Sequence, residues 1–236
     1  MNMTTRLSAF QSNPASFIDY TILKPNATEN DITQLCEEAK KYQFKSVCVN
    51  PCWVKKCVDL LKGTNVLVCT VIGFPLGANS KKIKAYETKT ALEDGAGEID
   101  MVMNVGKYLS DPSKAVKTLE EDVGAVVNEL KTASIPLKVI IETSLLQPEQ
   151  IRQVSQILAS IDGVSFVKTS TGFTGPGAQP EHLQIMRGCL PEAIGVKASG
   201  GIKTWEDCVK MIEAGANRIG TSSGVKIMEE SHKNQC

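Results

Sequence analysis

Two lysines that end short apolar runs are the residues of this 236-residue chain best placed to do chemistry. Lys168 closes Val164-Ser165-Phe166-Val167 and is followed by Thr169-Ser170-Thr171-Gly172; Lys197 lies in Val196-Lys197-Ala198-Ser199-Gly200-Gly201. If these runs are neighbouring strands, about 5 Å apart, the two amines share one pocket. Burial disfavours an ammonium and a nearby cation does so further, so such a lysine can expose the free amine that attacks a carbonyl. A single strand-end lysine would more often be ion-paired or snorkelling; the pair is what points to chemistry. Asp100, in Glu98-Ile99-Asp100-Met101-Val102-Met103-Asn104, shares a strand face with Val102 and Asn104 by two-residue periodicity. It reads either as the partner of a buried lysine or as a proton carrier for carbonyl and hydroxyl oxygens. Asp19 and Glu142 also end apolar runs. Glu142 as the base of an isomerase would leave both lysines unexplained, so it reads as a network partner.

Residues of this kind need elements that converge at one end, and the chain supplies them. Strand patterns fall at roughly 17–21, 46–49, 66–72, 98–103, 137–142, 164–169, 195–198 and 217–221. Between them run helical stripes: Ile32, Leu35, Cys36 and Ala39; Val116, Leu119, Val123, Val126, Val127 and Leu130; Ile151, Val154, Leu158 and Ile161. Helix starts are signalled by Thr28 with Asp31, Asn50 before Pro51, Gln147 before Pro148, and Thr204 with Asp207. Eight alternating βα units predict a single (β/α)8 barrel over residues 1–236, with a lead-in over 1–16 and a tail from about 226. A doubly wound dinucleotide-binding sheet fits less well, because Asp19 to Asn26 contains no glycine.

The barrel reading gives the glycine-rich segments a purpose. Ser199-Gly200-Gly201 follows strand seven and Gly220-Thr221-Ser222-Ser223-Gly224 follows strand eight, the two loops where such barrels hold phosphate. Ser222 and Ser223 can open a helix whose amino end favours an anion, and Lys203 adds charge. With 26 basic and 26 acidic residues there is no overall field for nucleic acid or an anionic membrane, so a small molecule is the expected partner. The first 20 residues resemble neither a signal peptide nor a membrane span, which predicts a cytoplasmic chain. Most of the eight cysteines lie in apolar runs and read as buried thiols. Cys48, Cys52 and Cys57 lack the paired spacing of a zinc site, with Cys52 and Cys57 on a predicted helix. His182 and His232 are too far apart in sequence to suggest ligation, so no metal is expected. Cys48 ends a strand where it can meet substrate. The competing readings are a metal-dependent aldolase and a noncatalytic phosphosugar-binding barrel; the latter has no need of Lys168, Lys197 and Asp100 together.

The motifs Phe166-Val167-Lys168-Thr169-Ser170-Thr171-Gly172-Phe173, Val196-Lys197-Ala198-Ser199-Gly200-Gly201 and Arg218-Ile219-Gly220-Thr221-Ser222-Ser223 closely resemble those of deoxyribose-phosphate aldolases. Ile18-Asp19-Tyr20-Thr21 and Glu98-Ile99-Asp100 match too, and the motif order is kept from about Phe17 to Val225. The resemblance implies a (β/α)8 class I aldolase that reversibly cleaves 2-deoxy-D-ribose 5-phosphate to D-glyceraldehyde 3-phosphate and acetaldehyde in deoxyribose phosphate catabolism. It implies no cofactor and a homodimer. By the same resemblance Lys168 is the Schiff-base lysine, and Asp100 and Lys197 transfer protons. Asp19, Thr21, Cys48, Thr171 and Gly172 would line the substrate pocket. Ser199, Gly200, Gly201, Lys203, Gly220, Ser222 and Ser223 would surround the phosphate. Phe173 stands where some members carry lysine and Lys203 where some carry arginine. The tail lacks the terminal tyrosine that some members fold over the site.

Overall fold

The structure is a computed structural model that describes residues 3–233. Eight strands alternate with helices: β1 (Ile18–Ile22), β2 (Ser46–Val49), β3 (Leu67–Ile72), β4 (Glu98–Val102), β5 (Leu137–Ile140), β6 (Val164–Lys168), β7 (Gly195–Ser199) and β8 (Arg218–Thr221). Every strand pairs in parallel with its sequence neighbours and β8 closes on β1, so the sheet has no edge. The expected (β/α)8 barrel is what forms. The strands are rich in Val, Ile and Cys and are buried over most of their length, because helices cover the outer face and side chains fill the interior.

Helix α1 (Met3–Ser12) precedes the barrel. The helices after the strands are α2 (Glu29–Tyr42), α3 (Val54–Leu61), α4 (Lys81–Glu93), α5 (Val105–Ser110), α6 (Ala115–Leu130), α7 (Pro148–Ser160), α8 (Pro180–Cys189), α9 (Trp205–Glu213) and α10 (Gly224–Lys233). Thr28 with Asp31 and Thr204 with Asp207 form the reciprocal capping boxes read from the sequence, fixing the starts of α2 and α9. In α2 the stripe Ile32, Leu35, Cys36 and Ala39 is buried.

Four sequence readings change. Val116, assigned to the buried stripe of α6, is half-exposed; Ala115 takes the inward place, and Asp122 joins the buried face as the partner of Lys84 at 2.7 Å. Asn50-Pro51 opens a 3-10 turn over Pro51–Trp53, so Cys52 lies on that turn and α3 starts only at Val54. The segment from 226, read as a tail, belongs to α10, whose Ile227 and Met228 are buried; the barrel needs an eighth helix to cover β8. The lead-in carries α1, with Phe10 fully buried and stacked on Trp205 at 4.8 Å. Just after it, the Ala15 carbonyl accepts the Lys45 N–H, which places the end of the lead-in beside the amino ends of β1 and β2. Residues 234–236, including Cys236, lie outside the described residues.

Candidate active site

The parallel register sets Lys168 directly opposite Lys197 on neighbouring strands, and Asp100 opposite Lys138. Two-residue alternation then turns these side chains to the barrel interior, the only place where Lys197 on β7 can reach Asp100 on β4. Asp100 Oδ2 accepts hydrogen bonds from Lys168 Nζ at 2.7 Å and Lys197 Nζ at 2.8 Å. Its Oδ1 accepts from Lys138 Nζ at 2.8 Å and from the Cys69 thiol at 3.2 Å. Asp100, Lys138 and Lys197 are inaccessible to solvent, and Lys168 is 3% exposed.

Beneath this layer the charges continue. Lys197 pairs with Asp19 Oδ2, and Arg218 Nη1 reaches Asp19 Oδ1 at 2.7 Å and Glu98 Oε2 at 3.0 Å. Lys138 also lies 2.8 Å from Glu98, and Ser46 donates to Asp19 Oδ1 at 2.8 Å. Burial would raise the Asp100 carboxyl, but Lys138, Lys168 and Lys197 outweigh it and hold it well below the usual carboxylate range. Asp19 is lowered in the same way, burial being outweighed by Lys197, Arg218 and Lys138. Burial would lower the Lys197 ammonium, but Asp100 and Asp19 reverse the effect and raise it above its ordinary value. The picture of two bare cations side by side is therefore revised: a shared carboxylate oxygen separates Lys168 from Lys197, and Lys197 is held as an ammonium.

Above the network opens a cavity of about 430 Å³ at the carboxyl ends of the strands. Lys168, Thr21, Thr171 and Gly172 line it, with Ser199 at the end of β7, Gly200, Gly201 and Lys203 from the loop that follows, Gly220 from β8 and Ser222 just after it. Asp19 and Cys48 are fully buried and do not reach its wall: Asp19 belongs to the charge network, and Cys48 packs with Cys69 and Val71. Ser223 also stands back from the wall, its carbonyl accepting the Ile227 N–H in the first turn of α10. Phe173 is half-exposed and meets Phe74 edge-on at 5.2 Å.

Glycine makes the cradle possible. The loops after β6 and β7 touch back to back: a Cβ at Gly177 would fall 2.4 Å from the carbonyl of Gly200, and the Ala178 N–H donates to that carbonyl at 3.1 Å. Gly172 and Gly200 hold φ of +86° and +85°, so the backbone folds close to the cavity there. Ser199 ties the loops further, its hydroxyl donating to the Ser170 carbonyl at 2.6 Å.

Lys138, Glu98 and Arg218 are the site residues that reading for strand-end groups passes over. Their signal is present: Lys138 interrupts Leu137-Lys138-Val139-Ile140, and Glu98 is two residues from Asp100, hence on its face. Arg218 opens its strand before Ile219-Gly220, and what it pairs with depends on barrel closure.

Among the described residues, Cys48, Cys69 and Asp100 form the one group whose ligand atoms lie within 4.8 Å of one another. The chemistry of the donor set argues against a cation there, since Asp100 already accepts from three ammonium groups that a metal would have to displace. Cys36, Cys57 and Cys208 are buried thiols as expected, whereas Cys52 is exposed and Cys189 half-buried.

Comparison with known proteins agrees with this geometry. Residues 15–230 match the DeoC/LacD family aldolase. A deoxyribose-phosphate aldolase of Clostridium tetani is 54% identical over 215 residues, covering 91% of this chain and 97% of the relative. One from Geobacillus sp. is 52% identical over 219 residues, 93% of this chain and 96% of that one. The solved tetrameric deoxyribose phosphate aldolase of Aeropyrum pernix superposes with a TM-score of 0.85 at 34% identity, covering 99% of this chain and 97% of that one. A match over this much of the chain, with a buried lysine pair at the carboxyl ends of a closed barrel, shows that the protein belongs to the DeoC/LacD aldolase family.

Proposed function

We propose that this chain is a class I aldolase that reversibly cleaves 2-deoxy-D-ribose 5-phosphate to D-glyceraldehyde 3-phosphate and acetaldehyde through an imine on Lys168. The observation that carries the proposal is the position of the Lys168 amine. It borders the cavity while Asp100 and Lys197 stand directly behind it at 2.7 and 2.8 Å along one hydrogen-bonded line. Lys138, Lys168, Lys197 and Arg218 face Asp19, Glu98 and Asp100, four cationic side chains against three carboxylates. Lys168 has a single carboxylate contact and an opening to the cavity, so its amine is the one placed to attack a carbonyl.

In the cleavage direction the Lys168 amine adds to C1 of the open-chain sugar, and loss of water leaves a protonated imine, the electron sink. Removal of the proton from the C3 hydroxyl lets the C2–C3 electron pair flow into the imine, freeing glyceraldehyde 3-phosphate and leaving an enamine on Lys168. Asp100, held as a stabilised carboxylate, is a weak base alone. It works with Lys197 as a relay, directly or through water. Protonation at C2 and hydrolysis release acetaldehyde. The iminium supplies the electron sink, so this chemistry calls for no metal or organic cofactor. The sugar phosphate rests against Gly172, Gly200, Gly201, Gly220 and Ser222, with Lys203 at the rim.

Borohydride reduction in the presence of acetaldehyde, followed by peptide mass mapping, should mark Lys168 alone. Active protein left unmodified at Lys168 would end the imine proposal, and activity lost to a chelator would favour metal-assisted chemistry at Cys48, Cys69 and Asp100 instead. No helix among the described residues is long and apolar enough to cross a membrane. Cytoplasmic placement and a homodimer complete the proposal; exposed Leu76, Ile83 and Tyr86 offer apolar surface for a second copy. Sedimentation showing only monomer would remove the dimer.

A further inference from the structure

The proposed chemistry uses Lys168, Asp100 and Lys197 and leaves Glu142 without a task, although its surroundings are built as tightly as theirs. Glu142 follows the end of β5 with a φ of +53°, a left-handed backbone that residues with a Cβ rarely adopt. The turn ends the strand and brings the side chain, 3% exposed, against the start of the loop after β6. Its Oε2 accepts from the Thr171 hydroxyl at 2.5 Å and from the Thr171 N–H at 3.2 Å, and its Oε1 lies 3.4 Å from the same N–H. Thr171 Oγ1 in turn accepts the Phe173 N–H at 3.1 Å. Gly172 is thus held on both sides by residues that depend on Glu142. Gly172 lines the cavity beside Gly200, and the same loop presses Gly177 onto Gly200 further along. Burial raises the Glu142 carboxyl above its ordinary value, outweighing the Thr171 hydrogen bonds and the charge of Lys168. Both oxygens are turned to Thr171 and Glu142 does not line the cavity, which fits a positioning role and not that of a base.

We infer that Glu142 is a positioning residue that fixes Gly172 against Gly200, across the cavity lined also by Gly201, Gly220 and Ser222, and so makes the site prefer phosphorylated over unphosphorylated sugars. The inference rests on the aldolase reading. The hydrogen bonds of the latch go to the cradle loop, whereas its charge reaches the Lys168 amine alike with either sugar, so loss of the latch should separate the two substrates.

The test compares Glu142→Gly, which accepts the left-handed backbone but removes the latch, with Glu142→Gln, which keeps an acceptor for the Thr171 hydroxyl. For Glu142→Gly, loss of charge-assisted hydrogen bonds should raise KM for 2-deoxyribose 5-phosphate about tenfold. Its kcat/KM for unphosphorylated 2-deoxyribose should fall by much less, since that sugar carries no phosphate for the cradle to hold. Borohydride trapping of Lys168 with acetaldehyde should persist, and Glu142→Gln should retain most of the preference. A Glu142→Gly enzyme that keeps the wild-type ratio of the two kcat/KM values, or loses both equally, overturns the inference. If that variant does not fold, Thr171→Val tests the latch from the other side: it must lose more on the phosphorylated sugar than on the unphosphorylated one, and an equal loss overturns the inference as well. Failure of wild-type trapping would instead sink the aldolase reading, so the two failures are distinguishable.

Discussion

At the scale of single residues the site is organised around one carboxylate. Asp100 accepts from three lysines, and each lysine is held by that contact in a different role: Lys168 at the cavity, Lys197 behind it, and Lys138 below. Lys197→Leu should therefore leave Lys168 able to form an imine but lower kcat by about 10²–10⁴, the usual worth of a proton-transfer group. Steady-state kinetics with parallel borohydride trapping would show it; unchanged kcat would leave Lys197 a structural ion only. Lys138→Met leaves the Lys168–Asp100–Lys197 line in place but, like Lys197→Leu, strips a counter-ion from two buried carboxylates, here Asp100 and Glu98. Leaving buried charges uncompensated costs about 3–5 kcal/mol, and urea denaturation should report a loss of that order. Lys168 and Lys197 are legible in the sequence because each lies in a short strand pattern that runs into a polar, glycine-rich turn. Lys138 is not, since in sequence it is one polar residue inside an apolar run.

At the scale of elements, glycines divide into those the cradle requires and those it does not. Gly177→Ala would drive a methyl group to 2.4 Å from the Gly200 carbonyl at a φ of +83°. It should raise KM for the phosphorylated sugar and lower stability by about 1–3 kcal/mol, the cost of a strained position. Gly124 lies inside α6, where an added Cβ would meet nothing within 4 Å, and Gly124→Ala should stabilise by up to about 1 kcal/mol through helix propensity. Thermal unfolding of the two variants checks both signs. The strands are legible to within two residues at each end, because their β-branched runs are bounded by polar or glycine-rich turns. The capping boxes of α2 and α9 are legible because both halves lie three residues apart. Helix α10 reads as a tail, its burial coming from β8 and neighbouring helices and not from any signal within Met228 to Lys233.

At the scale of the whole molecule, the buried network ties stability to pH. Asp19 and Asp100 have folded values below their unfolded ones, so their contribution is complete above the ordinary carboxylate range, about pH 4, and is lost as pH falls toward the folded values. Lys138 and Lys197 are raised, so theirs is complete below about pH 10 and is lost only as pH rises beyond it. The denaturation midpoint should therefore be flat across neutrality for these groups and drop below about pH 4. Asp19→Asn should shallow that acid limb, and an unaltered limb would show that the network does not set it. The sequence by itself determined the alternation of eight strands with helices, the lysines of β6 and β7, and the glycine loops that follow them, since these depend on local periodicity and turn chemistry. Only the tertiary structure decided that Asp100 stands between Lys168 and Lys197, that Lys138 and Arg218 complete its network, and that Asp19 and Cys48 lie beneath the cavity. Closure of the barrel brings β1, β4 and β7 to one axis, and a pairing across that axis leaves no trace in spacing along the chain.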